Sequence, residues 1–169
     1  MIKVTTKIER KGNSKEAFDK IVKALTTGPK GVKVGFPAGK TPGSIVAYAT
    51  YNHEGTNRAK GDVFFKGGKF GISGPTPPRP FITQAMFKGR HAIRQRMRNG
   101  ARDILNGTKT LEGVLSEVGE LGQGLIQKQI AMGMGPPNSP MTIELKGKGK
   151  KPLTDQGMMR SSVHWDFEK

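Results

Sequence analysis

The sequence predicts an α+β fold in which a small, mainly antiparallel sheet is packed by two long helices. Two stretches, 81–105 and 111–132, repeat apolar residues at the spacing of one helix face. Several shorter stretches alternate apolar and polar residues with the period of a strand. Glycine (24) and proline (11) make up about a fifth of the 169 residues, below the roughly 25–30% of low-complexity chains, which predicts a folded chain with many turns.

The first half of the chain is predicted to mix short strands with helices. Asn13 lies three residues before Glu16, the spacing of a capping box at a helix start. Gly55 is placed to end a later helix as its C-terminal cap. In order, the predicted elements are a strand at 2–10, a helix from Asn13 to Gly28, a strand at 31–36, a flexible extended loop at 38–44, a helix from Ile45 to Gly55, and a hairpin at 62–73 around Gly67-Gly68.

The first long helix, 81–105, follows a proline-rich segment that ends in Pro80 and presets the direction in which the helix starts. Arginines at successive four-residue steps share one side of this helix and form the arginine stripe: Arg90, Arg94, Arg98 and Arg102. The second long helix, 111–132, is acidic at its beginning, with Glu112, Glu117 and Glu120. Its internal glycines each cost roughly 1 kcal/mol relative to alanine, so either another element approaches closely there or the helix is weak or broken.

The last third is predicted to be irregular, with a turn-rich break at 133–140 and short strands at 141–145 and 161–167. Asp155 and Gly157 are predicted to form a turn in which the carboxylate caps one helical turn. A basic loop at 146–151, interrupted by glycines, is expected to be flexible and carries Lys146, Lys148, Lys150 and Lys151. Residues 1–169 are predicted to form a single domain.

The composition restricts the classes of function. Lysine and arginine (29) exceed aspartate and glutamate (13) by 16 charges, which favours nucleic acid, an acidic protein surface or an anionic membrane as a partner. The chain has no cysteine, and its three histidines lack metal-ligand spacing, so we expect no metal, no cofactor and no catalytic site. No stretch reaches the ~20 apolar residues of a membrane span, so we expect a soluble protein made in a cytoplasm, without a membrane partner.

The arginine stripe has two interpretations. Its side chains could contact phosphates, at about one charge each. They could instead pair with the acidic residues of a neighbouring subunit. The sequence has no zinc finger, no RNA-recognition motif and no clear helix-turn-helix, and this favours pairing with protein over sequence-specific reading of DNA.

Four segments resemble a known family when they are taken together. They are Val34-Gly-Phe-Pro37, Val46 to Thr56, Pro77-Pro-Arg-Pro-Phe81, and Pro137-Asn-Ser-Pro140 followed by Lys151 to Ser162. In this order they resemble the tail-component and virion-morphogenesis proteins of tailed bacteriophages, which are neck and tail-completion subunits. The shared features are a Tyr-Asn-x-x-Gly-Thr helix end, a Pro-Pro-Arg-Pro-Phe entry to a long helix, and a late Leu-x-Asp-x-Gly turn.

The resemblance implies a structural virion protein, not an enzyme. Such a subunit forms a ring, with sixfold symmetry expected, in the head-to-tail neck or at the head-proximal end of the tail. Its expected partners are its own copies, head-closure proteins, tail-terminator or tail-tube proteins and, without sequence preference, packaged DNA. It would be found in the virion and, during assembly, in the host cytoplasm.

A ring needs two different faces of the subunit to meet, and the arginine stripe could face the acidic start of helix 111–132 in the next copy. The loops at 38–44 and 146–151 would then fold onto neighbouring rings. Within this scheme Arg79 either holds the Gly55 turn or an acidic residue through bidentate bonds, or is a plain exposed arginine. The alternative function is a nonspecific basic DNA-binding protein, and a weaker third is a regulatory or toxin-like enzyme.

Overall fold

The computed structural model describes residues 14–57, 62–66, 69–73, 75–140, 142–143, 151–154 and 157–168. Several predictions lie outside these residues, namely those for the strand at 2–10, Asn13, Gly67-Gly68, Lys146, Lys148, Lys150 and Asp155.

Within the described part the chain is α+β, as predicted. The helices are α1 (Ser14–Thr27), α2 (Gly43–Glu54), α3 (Phe81–Leu105), α4 (Leu111–Met132) and the single turn α5 (Met158–Ser161). The strands are β1 (Gly31–Gly35), β2 (Asp62–Lys66), β3 (Lys69–Ser73) and β4 (His164–Glu168). The expected antiparallel pairing is confirmed, but the described strands form two separate ribbons, β1–β4 and β2–β3, instead of one sheet.

The long helices α3 and α4 form an antiparallel hairpin, because only five residues connect them and glycines let their axes approach. Gly89 faces Leu125, and Gly100 faces Val114, so closely that a methyl group added to either glycine would collide with the opposite side chain. Thr110 begins α4, and its hydroxyl oxygen accepts a hydrogen bond from the N–H of Gly113 at 3.1 Å.

The glycines inside α4 have two explanations, and the structure separates them. The β1–β4 ribbon packs on α4, so that Trp165 lies over Gly119 and Val34 lies over Gly122. Close approach of another element therefore explains these two glycines. Gly124 is exposed and has no atom within 4 Å of the place where a side chain would begin, so close packing does not explain it.

The core lies at one end of the helix hairpin. Phe81 at the start of α3 and Ile126 and Ile130 near the end of α4 are completely buried. The remaining buried members of this cluster come from α2, α3 and the C-terminal segment: Ala49, Ala85, Leu153, Met159 and Val163. The core thus gathers residues that are far apart in the sequence.

Two local predictions are corrected. Residues 38–41 form a compact turn, in which the N–H groups of Lys40 and Thr41 donate to the Pro37 carbonyl, and α2 already begins at Gly43. The Thr41 hydroxyl also donates to the Ser162 carbonyl at 3.1 Å, so this segment is not the extended loop that the sequence predicts.

The strand predicted at 141–145 is wrong for the residues described there, because Thr142 and Ile143 are helical. The N–H of Ile143 donates to the Ser139 carbonyl at 3.0 Å, and the N–H of Thr142 donates to the Ser139 hydroxyl at 3.3 Å. A serine at the cap position followed by Pro140 is a helix-start signal, and it overrides the strand pattern.

The packing of Trp165 on α4 makes a matched pair of substitutions informative. Gly119→Ala would place a methyl group 2.6 Å from the rigid indole of Trp165, so the free energy of unfolding should fall by about 1–3 kcal/mol. Gly124→Ala meets no atom and improves helix propensity, so it should raise the free energy of unfolding by up to about 1 kcal/mol. Urea unfolding followed by circular dichroism measures both, and equal effects of the two changes would contradict this packing.

Candidate functional site

Arg79 is buried, with 5% of its surface exposed, although it stands in a proline-rich segment. Its Nε donates to the Pro136 carbonyl at 3.0 Å and its Nη2 to the Pro137 carbonyl at 3.2 Å. Burial lowers the pKa of the Arg79 guanidinium from its ordinary value, an effect that Tyr48 opposes, yet an arginine stays charged in a protein. Among the described residues, carbonyl oxygens and neither a carboxylate nor the Gly55 turn accept from this guanidinium, and the expectation of an exposed side chain is wrong.

The Gly55 turn lies directly beside the same proline-rich segment. Gly55 has φ 82° and ends α2, as predicted, with its N–H donating to the Tyr51 carbonyl. A side chain at Gly55 would come within 2.7 Å of the Thr76 carbonyl oxygen, so this approach requires glycine. The Arg79 N–H donates to the Asn52 carbonyl at 2.8 Å, which joins the end of α2 to the start of α3.

Phe81 connects two further segments to this junction. It is the first residue of α3, directly after Pro80 as the sequence predicts, and its ring meets the ring of Phe36 edge-on at 6.3 Å. His53 meets Phe81 edge-on at 5.3 Å, and its buried Nδ1 has no hydrogen-bond partner among the described residues. Leu153 and Met159 belong to the same core cluster. We call this assembly around Arg79 and Phe81 the arginine junction.

The arginine stripe lies on the outer face of α3, away from α4. All four of its residues are exposed, and none of them makes an ion pair with another described residue. The guanidinium carbon of Arg90 lies 4.1 Å from the centroid of the Phe87 ring, a cation–π contact that holds this side chain against the helix.

The acidic residues predicted to meet the stripe are divided between two roles. Glu117 is paired inside its own chain, with Arg96 at 3.1 Å and with Lys109 at 2.6 Å. These cations lower the pKa of Glu117, and the hydrogen bond to Glu117 raises the pKa of Lys109. Glu112 and Glu120 are exposed and make no ion pair among the described residues. Pairing between copies could therefore use two acidic residues of α4 against the four arginines of the stripe.

Three large apolar side chains are exposed on one face of α1. Phe18, Val22 and Leu25 are 64%, 40% and 57% exposed, and their spacing places them on the same side of the helix. Their spacing places them on one face but does not say whether a second surface covers it, so their exposure becomes evident only in the structure. On α3, Phe87 and Leu105 are exposed as well, beside the arginine stripe.

Two further predicted residues have places in the structure. Lys151 is exposed, at the end of the basic loop whose other lysines are outside the described part. Gly157 has φ 81° and directly precedes α5, so the helical turn predicted after it is present, while the predicted cap by Asp155 lies outside the described residues.

A cleft of about 490 Å³ between α3 and α4 is lined by charged groups that already pair with one another. They are Arg96, Asp103, Lys109 and Glu117. In the described ranges, no three or more histidine, aspartate or glutamate side chains come together as metal ligands would. None of the helices described combines the length and apolar character needed to cross a bilayer.

Comparison of the chain with protein-family models, with curated proteins and with solved structures finds no match.

Removing the Arg79 side chain tests its structural role. Arg79→Met keeps most of the apolar stem and loses both hydrogen bonds to the proline carbonyls, so the free energy of unfolding should fall by about 1–3 kcal/mol. Arg94→Met is the control, because Arg94 is exposed and unpaired among the described residues, and it should change the free energy of unfolding by less than about 0.5 kcal/mol. Thermal and urea unfolding measure both, and equal stability of Arg79→Met and the parent would contradict this role.

The ion pairs of Glu117 predict a dependence of stability on pH. The pKa of Glu117 is lower in the folded state than its ordinary value of 4.5, so its contribution is present above that value and disappears as the pH falls through the folded-state pKa. Glu117→Gln should therefore be less stable than the parent at pH 7, and the difference should shrink below pH 4.5. Urea unfolding at pH 7 and below pH 4.5 measures this difference, and Glu120→Gln should show no such pattern. An effect of Glu117→Gln that is equal at both pH values would contradict a stabilising role for these ion pairs.

Proposed function

We propose that this protein is a structural virion subunit of a tailed bacteriophage, which forms a ring in the head-to-tail neck or at the head-proximal end of the tail. The observation that carries the proposal is the arginine junction. Every segment on which the family resemblance depends contributes to it or to the core around it, although these segments span residues 34–162. Segments that occur in the same order as in the family, and that also contact one another in space, support a scaffold shared with that family.

The contacts of the junction supply a reason for that resemblance. Phe36, Asn52 and Pro137 belong to three different segments, and each contacts Arg79 or Phe81. The roles of these residues are structural, because they fix the end of α2, the start of α3 and the segment after α4. The family features thus specify a rigid body, which is what a ring subunit needs.

The exposed apolar side chains support assembly. The described part buries a core of nine apolar residues, while eleven large apolar side chains remain exposed. A closed ring with heterologous contacts needs two different patches on each subunit, and the α1 face is the one that we assign to such a contact. Burying the α1 face against a neighbouring copy removes Phe18, Val22 and Leu25 from water.

The test is the oligomeric state of the purified chain and of a variant with a polar α1 face. Phe18→Ser with Leu25→Ser should weaken assembly by about 30-fold or more, because each side chain is expected to contribute more than about 1 kcal/mol to the contact. Light scattering after size-exclusion chromatography and negative-stain electron microscopy would show rings for the parent and single subunits for the variant. Circular dichroism should stay unchanged, because both side chains are exposed in the free subunit.

Lys23→Ser is the matched control, since Lys23 lies on the opposite, polar side of α1 and should leave rings intact. Equal assembly of the double variant would remove the α1 face from the interface. A parent protein that stays monomeric and is missing from phage particles would overturn the proposed function. Protein-coated DNA without rings in the same micrographs would favour the alternative, a nonspecific basic DNA-binding protein.

A further inference from the structure

We propose that the outer face of α3 binds the phosphate backbone of duplex nucleic acid, with the arginine stripe as the contact surface. This inference does not depend on the proposed ring, because it concerns a surface of the single chain. The ligand of that surface is a polyanion, which is recognised by its charge and without a preference for base sequence.

Helix α3 keeps an excess of positive charge after its internal pairing is counted. The helix carries six basic residues and one acidic residue, Asp103. Asp103 pairs with Lys109, and Arg96 pairs with Glu117, so both lie on the side of α3 that faces α4. Lys88 donates to Gln129 of α4 at 3.1 Å. The arginine stripe is what remains, and no acidic residue of α3 lies on its face.

The length of the stripe matches a row of phosphates on one strand of a duplex. Arg90 and Arg102 are twelve residues apart in one uninterrupted helix, which places them about 18 Å apart along its axis. One strand of a duplex presents about five phosphates over the same length, at 3.4 Å of axis per nucleotide. A guanidinium binds phosphate oxygens through two parallel N–H bonds, so four arginines at this spacing suit a row of phosphates.

The acidic residues of α4, which were predicted to face the stripe in the next copy, are too few to neutralise it. A second copy offers Glu112 and Glu120 on α4, because Glu117 is occupied by Arg96 and Lys109. Two carboxylates cannot neutralise four arginines, and each copy brings a formal net charge of +16. A polyanion supplies the missing negative charge without requiring an acidic protein partner.

One member of the stripe is already ordered. Arg90 lies over the Phe87 ring, and this contact limits the rotamers that its long side chain can adopt. Less conformational entropy is then lost when the guanidinium binds a phosphate. Base edges are not needed for this contact, which agrees with the lack of a recognition motif in the sequence.

The experiment measures binding of the full chain to a fluorescent duplex of about 20 base pairs between roughly 50 and 200 mM salt, a range over which phosphate contacts weaken steeply. Fluorescence anisotropy should give similar affinities for two unrelated sequences. Arg94→Gln with Arg98→Gln removes two expected phosphate contacts, so the slope of log K against log salt should become shallower by about 1.8. Circular dichroism should stay unchanged, because both arginines are exposed.

The control variant removes two positive charges elsewhere. Lys23→Gln with Lys128→Gln changes the net charge equally, at exposed residues of α1 and α4, and should change the slope by less than about 0.5. An equal loss of slope in both variants, or no binding of the parent to duplex, would overturn the proposal. Poly-glutamate that competes as well as unlabelled duplex at equal charge would also overturn it, in favour of an acidic protein surface.

The outcome is separable from that of the proposed function. Rings without duplex binding would leave the ring proposal standing and remove this one. Duplex binding through the stripe by a protein that forms no ring would do the reverse.

Discussion

The close approach of α3 and α4 is the constraint on which the other surfaces depend. Gly89 and Gly100 let side chains of α4 fill the seam between the helices, and the resulting register brings Arg96 to Glu117. Each helix of a hairpin has one buried side. The buried side of α3 packs against α4 and contributes to the core. The arginine stripe must therefore face outward. It is exposed because of how the inner face packs, and only a partner outside the hairpin can neutralise it.

The arginine junction shows how a buried charge can fix the connections of a fold. An arginine removed from water needs acceptors for its N–H groups, and within the described part of the chain these acceptors are not carboxylates. The Pro136 and Pro137 carbonyls meet this need, since a proline-rich segment has few internal hydrogen bonds to occupy them. The segment after α4 is thereby attached to the start of α3. Because these bonds involve backbone oxygens, substitutions of the prolines alone would not remove the acceptors.

The fold could be predicted from the sequence wherever local signals determined it. Pro80, Thr110 and Gly133 mark the ends of α3 and α4, and the predicted bounds of both helices agree with the structure. The partner of Arg79 could not be predicted, because a backbone carbonyl has no sequence signature. The pairing of Glu117 with Arg96 depends on the register between α3 and α4, and the sequence of either helix alone does not determine that register. Exposure of the stripe was predictable from its four-residue spacing, whereas exposure of the apolar face of α1 required the tertiary structure.

The apolar and the basic surfaces respond to salt in opposite directions. Copies that each carry +16 repel one another over distances comparable to the Debye length, about 10 Å at 0.1 M salt, so salt reduces the opposition to contacts made through the α1 face. The same salt weakens the attraction of the arginine stripe for phosphates. A duplex lying along the stripes of several copies would neutralise their charge and so favour apolar contacts between them. Binding of nucleic acid and self-association therefore need not compete in this chain, because the residues that serve them lie on different helices. Bound nucleic acid would also supply the negative charge that reduces the repulsion between copies.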